Sequence, residues 1–378
     1  MDMKICDSAE KTSARDILKT DKCDKYDYLI AAACGVIGGI VDIFFVGMPG
    51  DSKLQVFTDQ QVDKIVMRFA KIVAEPDKVA SIVDVASAKD ILGKMYKVNY
   101  DQSTSASASM VFGISPSNHH MKSLAHSPDI IGLFFSILDQ FTSQSHFISA
   151  GRLISMNTDT FELKGNSFGA KLFCGVTNWI GHLVSDVAGT GTTKGRGMGL
   201  VMPFYELLGL CEFGKFDIKG ERIMVNDLAT KIYENGYDAR FGIATSIPLL
   251  ITELSIKLVW AIRQRIQYNK PIKECIPMRI HSDLRIMLLI GNGTLCIIDG
   301  VDAAVESGGN WVNFFMRLNL VGWCNLIQGV LIEVCIQLGI NIDFDAQIEA
   351  FQRMNVAMEE YLVLCQVLAQ NKMRSSAS

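Results

Sequence analysis

The amino-acid sequence predicts a mainly α-helical fold: a multi-helix bundle with helices apolar enough for a membrane, and one small β-hairpin near residues 147–164. Composition is the first observation, because 49% of the 378 residues are hydrophobic and only 20% are charged, less charge than a soluble protein usually carries. The second is a series of long apolar runs, at 28–47, 168–187, 241–260, 284–304 and 311–340. The third is one stretch, 146–165, whose alternating residues on either side of Asn157-Thr158-Asp159 are typical of a hairpin.

Charge and cysteine usage narrow the class of protein. The net charge of −4 gives no support to non-specific nucleic-acid binding, so we expect no nucleic-acid partner. The ten cysteines are scattered without a Cys-x-x-Cys pair, which predicts buried, reduced thiols. The first 27 residues are polar and mixed in charge, unlike a signal peptide. We therefore expect a membrane-associated protein that is not secreted.

Four regions are expected along the chain. Residues 1–27 form a polar arm, and residues 28–213 form a helical domain that carries a cluster of histidines and aspartates. Residues 214–240 are a polar connection, and residues 241–378 are an apolar helical domain that ends in an amphipathic helix. A serine- and alanine-rich loop at 103–109 separates the first helices from the histidines.

The first apolar run has two interpretations. Its length suits a membrane span of about 20 residues, and Gly35, Gly38 and Gly39 would let a second helix approach closely. Asp42 is costly at that depth unless it is paired, bound to a metal or facing a polar cavity. The alternative is a buried helix of a soluble protein with Asp42 near its end.

Hydrophobic periodicity and helix-start residues predict the remaining elements. Residues 58–98 predict amphipathic helix, and Ser127-Pro128 predicts the start of a short apolar helix that reaches Asp139 at its polar, water-facing end. Residues 200–210 and 311–340 predict further helices. Basic residues follow the run at 241–260, and the positive-inside rule places them, with the chain termini, on the cytoplasmic side: Arg263, Arg265, Lys270, Lys273 and Arg279.

Histidines and aspartates carry the strongest chemical signal. Five of the six histidines lie between positions 119 and 182. His182 and Asp186 share one helix face, a turn apart. With nitrogen ligands from a loop and one more carboxylate, this set predicts a divalent-metal site for zinc or manganese: His119, His120, His126, His182, Asp186 and Asp42. The alternative is a hydrogen-bonded His–Asp pair without a metal.

A glycine-rich loop at 189–199 follows the His182 helix. Its backbone N–H groups, with Lys194 and Arg196, are suited to a phosphate or a lipid headgroup, although the loop is not a Walker A motif. The alternative is a plain connection between two helices. We assign catalytic roles to Asp186, Lys194 and Arg196, the two basic residues stabilising negative charge that develops on the substrate.

In three places, over roughly residues 28–205, the chain resembles the membrane-bound metal-dependent hydrolases typified by small LexA-regulated inner-membrane proteins. The shared features, in the same order, are an acid after a glycine-rich helix, a His…Thr-His-Ser loop, and a His-x-x-x-Asp helix followed by a glycine loop and a proline: here Asp42, His120 to His126-Ser127, His182, Asp186, 189–199 and Pro203. Ala125 replaces the threonine, and Ile43-Phe44 replace further polar residues after Asp42. The resemblance implies a multi-helix membrane protein with a divalent metal and a phosphoester or related lipid substrate.

Three functions remain open at the level of sequence. The first is a membrane-associated metal-dependent hydrolase. The second is a non-catalytic, membrane-active helical protein, such as a pore former or a defence effector, suggested by the glycine-rich apolar helices. The third is a soluble helix-rich protein, favoured by acids inside most apolar runs, among them Asp42, Asp186, Glu253 and Asp299. Membrane lipid is the expected partner, and a homo-oligomer is compatible with all three.

Overall fold

The computed structural model describes residues 22–102, 113–159, 163–189, 197–200, 202, 204–218 and 220–340, and it confirms the mainly α-helical fold. The helices are α1 (Lys25–Val41), α2 (Lys53–Val73), α3 (Val85–Met95), α4 (His119–Lys122), α5 (Ile130–Thr142), α6 (Phe168–Ala188), α7 (Val225–Glu234), α8 (Ala239–Ile266), α9 (Ser282–Glu306), α10 (Trp311–Arg317) and α11 (Leu320–Gln337). A π-helical turn, Asp42–Val46, continues α1. Short 3₁₀ turns include Leu124–His126 and Tyr205–Leu210, the latter in place of the helix expected at 200–210.

The expected hairpin is present, with shifted boundaries. Strand β1 (Gln144–Ser149) pairs antiparallel with β2 (Arg152–Asn157), so the hairpin begins earlier than expected and ends at Asn157. The turn lies at Ala150-Gly151, where φ is 49° and 66°, the left-handed geometry that glycine accepts and that tight hairpins require. A second hairpin, β3 (Phe216–Ile218) with β4 (Glu221–Ile223), was not predicted, because three-residue strands carry almost no periodic signal.

Two runs expected as single helices are each divided. Residues 58–98 contain the end of α2 and all of α3, because Pro76 lacks an N–H and disfavours helical geometry in the residue before it. Ser52 caps α2 by accepting a hydrogen bond from the Gln55 N–H at 3.0 Å. The run at 311–340 is likewise divided into α10 and α11, with Asn319 between them.

The chain forms two compact units, each built from separate segments. The first comprises residues up to Gly38, Leu250–Leu295 and residues from Asn325 onward, and its core includes Ile256, Trp260, Leu284 and Met287. The second comprises Gly39–Leu249 and Cys296–Cys324. This division differs from the expected one at 28–213, 214–240 and 241–378. The expected amphipathic helix at the carboxyl end lies outside the described residues, as does most of the polar arm.

The second unit has two main apolar clusters. One surrounds the buried aromatic residues Tyr205, Tyr233, Tyr237 and Phe241. Residues 214–240, expected to be a polar connection, contribute to this cluster, because α7 buries one apolar face: Leu228, Ala229, Ile232 and Tyr233. The other cluster lies between α2, α3 and α6 and includes Val66, Ala70, Leu92 and Ala188. This packing positions α6 beside α3.

Four of the described helices are long and apolar enough to cross a membrane: Lys25–Val46, Ala239–Ile266, Ser282–Glu306 and Leu320–Gln337. Helix α8 illustrates their outer faces. It exposes a stripe of apolar side chains at four-residue intervals: Leu250, Leu254, Leu258 and Ile262. Residues at that spacing share one face of a helix, so the stripe is continuous and suited to lipid.

Candidate metal centre

The three histidines expected on a loop lie instead in α4 and in the 3₁₀ turn Leu124–His126, and side-chain hydrogen bonds fix both ends of this histidine segment. Before it, the Asn118 side chain accepts from the Ser115 N–H at 2.8 Å and donates to the Gly113 carbonyl at 3.1 Å. After it, Asp129 caps α5 by accepting from the N–H groups of Ile131 and Gly132. The expected cap was Ser127; instead its hydroxyl donates to Asp129, because a carboxylate is the stronger acceptor at a helix start. His119, His120 and His126 are thereby buried in a short, fixed segment.

The Tyr205 side chain contacts the backbone of this histidine segment. Its buried hydroxyl lies 3.1 Å from the His120 carbonyl oxygen, to which it donates, and 3.5 Å from the His126 carbonyl oxygen. Gly199, at the described end of the glycine-rich loop, lies flat against the ring, since a Cβ there would be 2.1 Å from a ring carbon. The end of that loop therefore packs against Tyr205, which in turn contacts the histidine segment.

Helix α6 supplies the facing half of the site. His182 and Asp186 are both buried, and the His182 Nε2 lies 3.5 Å from the Asp186 Oδ1. The His182 Nε2 is also 3.2 Å from the His126 Nε2, and the His120 Nε2 is 3.5 Å from the Asp186 Oδ1. The structure thus brings the histidine segment and the helix pair together, as the sequence predicted.

Asp101 is a further acid at the site that the sequence did not single out. Its Oδ1 lies 3.4 Å from the His119 Nε2 and 4.0 Å from the His126 Nε2. It follows α3 in a 3₁₀ turn, Tyr100–Gln102, directly before the serine-rich loop. The only available signal was an acid at the edge of a low-complexity segment, which is too common to select it.

The donor atoms fit a divalent ion. Two ligands of a tetrahedral ion with bonds of about 2.1 Å lie about 3.4 Å apart, close to the separations measured between these donors. Four polar atoms of these residues are buried without a hydrogen-bond partner among the described residues: the His119 Nε2, the His120 Nδ1, the His126 Nδ1 and the Asp186 Oδ2. Because an unpartnered buried polar atom costs free energy, a bound cation would account for the His119 Nε2 and the Asp186 Oδ2.

Protonation and orientation also favour metal binding. Burial, together with the proximity of three other imidazoles, lowers the pKa of His126 well below its usual value, so that its ring nitrogens stay available as ligands. The His119 Nδ1 lies 3.2 Å from the Pro116 carbonyl oxygen, an arrangement that leaves Nε2 for a ligand. The Tyr100 ring packs edge-on against His126 and His182.

A cleft of about 600 Å³ opens onto the donor atoms. Its walls include Asp101, His119, His120, His182 and Asp186, and its rim includes two lysines of α3, Lys89 and Lys94. Lys94 forms an exposed ion pair with Asp90 at 2.7 Å. The site is therefore accessible to a solute, and α3 lines the cleft with two lysines and one aspartate, Lys89, Lys94 and Asp90.

Three residues assigned to the site by sequence are not placed there. Lys194 and Arg196 lie outside the described residues, so their assigned roles stay predictions. Asp42 belongs to neither group of ligand residues. It is buried at the end of α1, where it accepts a hydrogen bond from the Asn319 Nδ2 at 2.8 Å. An acid inside an apolar helix needs a polar partner, and here an amide fills that role.

The fifth histidine of the 119–182 region belongs to a separate pair. The His146 Nδ1 lies 2.5 Å from the Asp139 Oδ1, and the His146 backbone N–H donates to the other carboxylate oxygen. Asp139 is fully buried, contrary to the expectation that it faces water. Burial raises the pKa of Asp139 to about 6, although the contacts with His146 act in the opposite direction. This pair joins α5 to β1.

Comparisons of the chain with protein-family models, with curated proteins and with solved structures find no match.

Proposed function

We propose that this chain is a membrane-associated, metal-dependent hydrolase that acts on a phosphoester or lipid-like substrate. The observation that carries the proposal is the convergence of four histidines and two aspartates, with donor atoms 3.2–4.0 Å apart, at the base of an open cleft. Burial removes these imidazole and carboxylate groups from water, and their contacts with one another recover little of that free energy. Without a cation the cluster is therefore costly. The resemblance to membrane-bound hydrolases points in the same direction.

The residues would divide the chemistry between them. His182, Asp186 and the histidine segment would hold the ion, which when bound supplies Lewis-acid polarisation of a substrate oxygen and an acidified water. Lys89 and Lys94 at the rim would attract an anionic group before it reaches the base of the cleft. Lys194 and Arg196 keep the role of stabilising negative charge on the substrate. Zinc and manganese both suit the mixture of imidazole and carboxylate ligands.

Membrane association rests on the four long apolar helices and on the outer stripe of α8. A lipid-like substrate would reach the protein by diffusion in the bilayer. Fractionation of cells without detergent tests this part directly. Recovery in the membrane pellet after an alkaline wash is expected, and recovery in the supernatant would contradict it.

Metal analysis of the detergent-purified chain tests the central claim. We expect at least one zinc or manganese ion per chain, and hydrolysis of a chromogenic phosphoester. The double substitution His182→Ala and Asp186→Ala should remove most of the metal and the activity. His281→Ala is the matched control, because it removes an imidazole that packs against Trp260 and belongs to neither group of ligand residues. A wild-type chain that binds less than one metal ion per molecule would contradict the proposal.

A non-catalytic, membrane-active role is the second candidate, and the exposed apolar helix faces favour it. Release of dye from liposomes separates the two functions. Leakage that persists in the His182→Ala, Asp186→Ala double variant would support membrane activity without chemistry. Leakage that is absent in the wild type, with metal bound, would support the hydrolase.

A further inference from the structure

We propose that the cluster holds two divalent ions side by side and that it takes a phosphoester dianion as substrate. The inference rests on the metal site of the proposed function and extends it from one ion to a pair. Its basis is the number and arrangement of the donors: Asp101, His119, His120, His126, His182 and Asp186.

The six candidate ligand residues form two groups rather than one. Asp101, His119, His120 and His126 present ligand atoms within 4.8 Å of one another, and so do His126, His182 and Asp186. Ligands of one ion with bonds of about 2.1 Å can be at most about 4.2 Å apart, on opposite sides of it. The full set does not form one group within 4.8 Å and is too extended for a single ion. Each group lies within 4.8 Å, so side-chain shifts of a few tenths of an ångström would let it hold an ion of its own.

The carboxylate and imidazole ligands can also be shared equally between two ions. Asp101 and His119, 3.4 Å apart, lie at one end, and His182 and Asp186, 3.5 Å apart, lie at the other. His120 and His126 lie between these ends, and either pairing gives each ion one carboxylate and two imidazoles. Three protein ligands with open positions are what catalytic zinc sites use, whereas a fully ligated structural site has none free.

Two of the four unpartnered atoms lie at opposite ends of the cluster, one for each ion. The Asp186 Oδ1 faces His120 and His182, while its Oδ2 is buried without a hydrogen-bond partner among the described residues. At the other end, the His119 Nε2 is buried and likewise unpartnered in the described part of the chain. Each ion would therefore satisfy one of these atoms.

Charge indicates the substrate class. Two carboxylates and four neutral imidazoles leave two divalent ions with an excess of two positive charges, which favours a dianion such as a phosphomonoester. Paired ions about 3.5–4 Å apart stabilise the attacking and leaving oxygens of an in-line displacement. In the hydrolysis, the ester P–O bond breaks, a P–O bond to the water oxygen forms, and a proton from water reaches the leaving oxygen. No redox change is involved.

The test uses the full chain, purified in detergent and loaded with manganese. Mass spectrometry should find two manganese ions per chain, and the electron paramagnetic resonance spectrum should show exchange coupling between neighbouring ions. Asp101→Asn should retain one ion, through the His182–Asp186 end, and should lose the coupling. Asp51→Asn, in an exposed turn, is the matched control and should keep both ions and the coupling.

Two results would overturn the inference, and they differ in what else they overturn. One uncoupled manganese ion per chain, retained in Asp101→Asn, contradicts the pair but keeps the metal-dependent hydrolase. No bound manganese or zinc in the wild type contradicts both. Because stoichiometry and coupling are measured on the unsubstituted chain, the result does not depend on how well a variant folds.

Discussion

Single side chains outside the candidate metal centre fix the positions of the residues within it. Tyr205 is the clearest case, because its buried hydroxyl contacts the backbone carbonyls of two candidate ligands, His120 and His126. Removal of the hydroxyl takes away the hydrogen bond to the His120 carbonyl in a buried setting, where a lost partner costs free energy. Residues that orient ligands in this way affect metal affinity nearly as strongly as the ligands.

Tyr205→Phe is expected to weaken metal binding about 10- to 100-fold and to lower the free energy of unfolding by about 1–3 kcal/mol. Metal titration and thermal denaturation measure the two effects. Tyr237→Phe is the matched control, since its buried hydroxyl bonds to the Leu318 carbonyl and the Leu320 N–H, away from the histidines. It should lose similar stability and keep its metal affinity. Equal metal affinities in wild type and Tyr205→Phe would contradict the positioning role.

Asp139 predicts a pH dependence of stability. Its pKa is raised from 3.8 to about 6 in the folded protein, mainly by burial. The folded state therefore holds a proton that the unfolded state has already lost between these values, and the stability from the neutral acid falls as the pH rises through this window. Relative to Asp139→Asn, the wild type should lose about 2 kcal/mol between pH 4 and pH 6, and about 3 kcal/mol over the wider range from pH 3 to pH 7. Chemical denaturation in detergent measures the difference, and a parallel response of both proteins would contradict it.

At the scale of elements, the close approach of α3 to α6 places the His182–Asp186 pair. Gly181 lies against the Tyr96 ring, and a Cβ at this position would be 2.1 Å from a ring carbon. Any larger residue must push α6 away from α3. The neighbouring residue, His182, moves with the helix, so packing and metal geometry are linked at this contact.

Gly181→Ala should therefore destabilise the protein by about 1–3 kcal/mol and reduce metal affinity. Gly169→Ala is a matched control on the same helix, where a Cβ has no neighbour within 4 Å. It should be neutral or stabilising by up to about 1 kcal/mol, because alanine favours helix. Thermal denaturation and metal titration compare the two. Equal stability of Gly181→Ala and Gly169→Ala would contradict the predicted link between this glycine and the packing of α6 on α3.

At the scale of the whole molecule, the four candidate spans predict a topology. The connection between α8 and α9 is rich in basic residues, whereas the connection between α9 and α11 holds one, Arg317. If all four helices cross a membrane, the positive-inside rule predicts that the first connection is cytoplasmic. Because each span would reverse the side, the start of α1 and the end of α11 would be cytoplasmic too. Residues 47–238, with the candidate metal centre, are then predicted to lie on the opposite side.

Reporter fusions test this topology. A fluorescent protein that matures only in the cytoplasm should be bright when fused after residue 337 and dark after residue 213. A phosphatase that is active only outside the cytoplasm should show the reverse. Cytoplasmic fluorescence at both positions would contradict the four-span arrangement.

Much of the helical fold could be predicted, because helix periodicity and length are local properties. The long apolar runs at 28–47, 241–260 and 284–304 correspond to helices of nearly the same extent, and the His182–Asp186 pair shares a face because a helix repeats every 3.6 residues. Boundaries were less predictable where a single residue decides them. Pro76 divided one predicted helix, and Ala150-Gly151 placed the hairpin turn away from Asn157.

By itself, then, the sequence determined which segments are helices, which helices suit a membrane, and which histidine and aspartate share a helix face. Only the tertiary structure decided which distant residues meet. His126 and His182 are 56 residues apart in the chain, and Asp42 is 277 residues from its partner Asn319. Asp101 joined the site for the same reason. Contacts at such separations depend on how helices pack, and packing is a property of the whole core rather than of any local pattern.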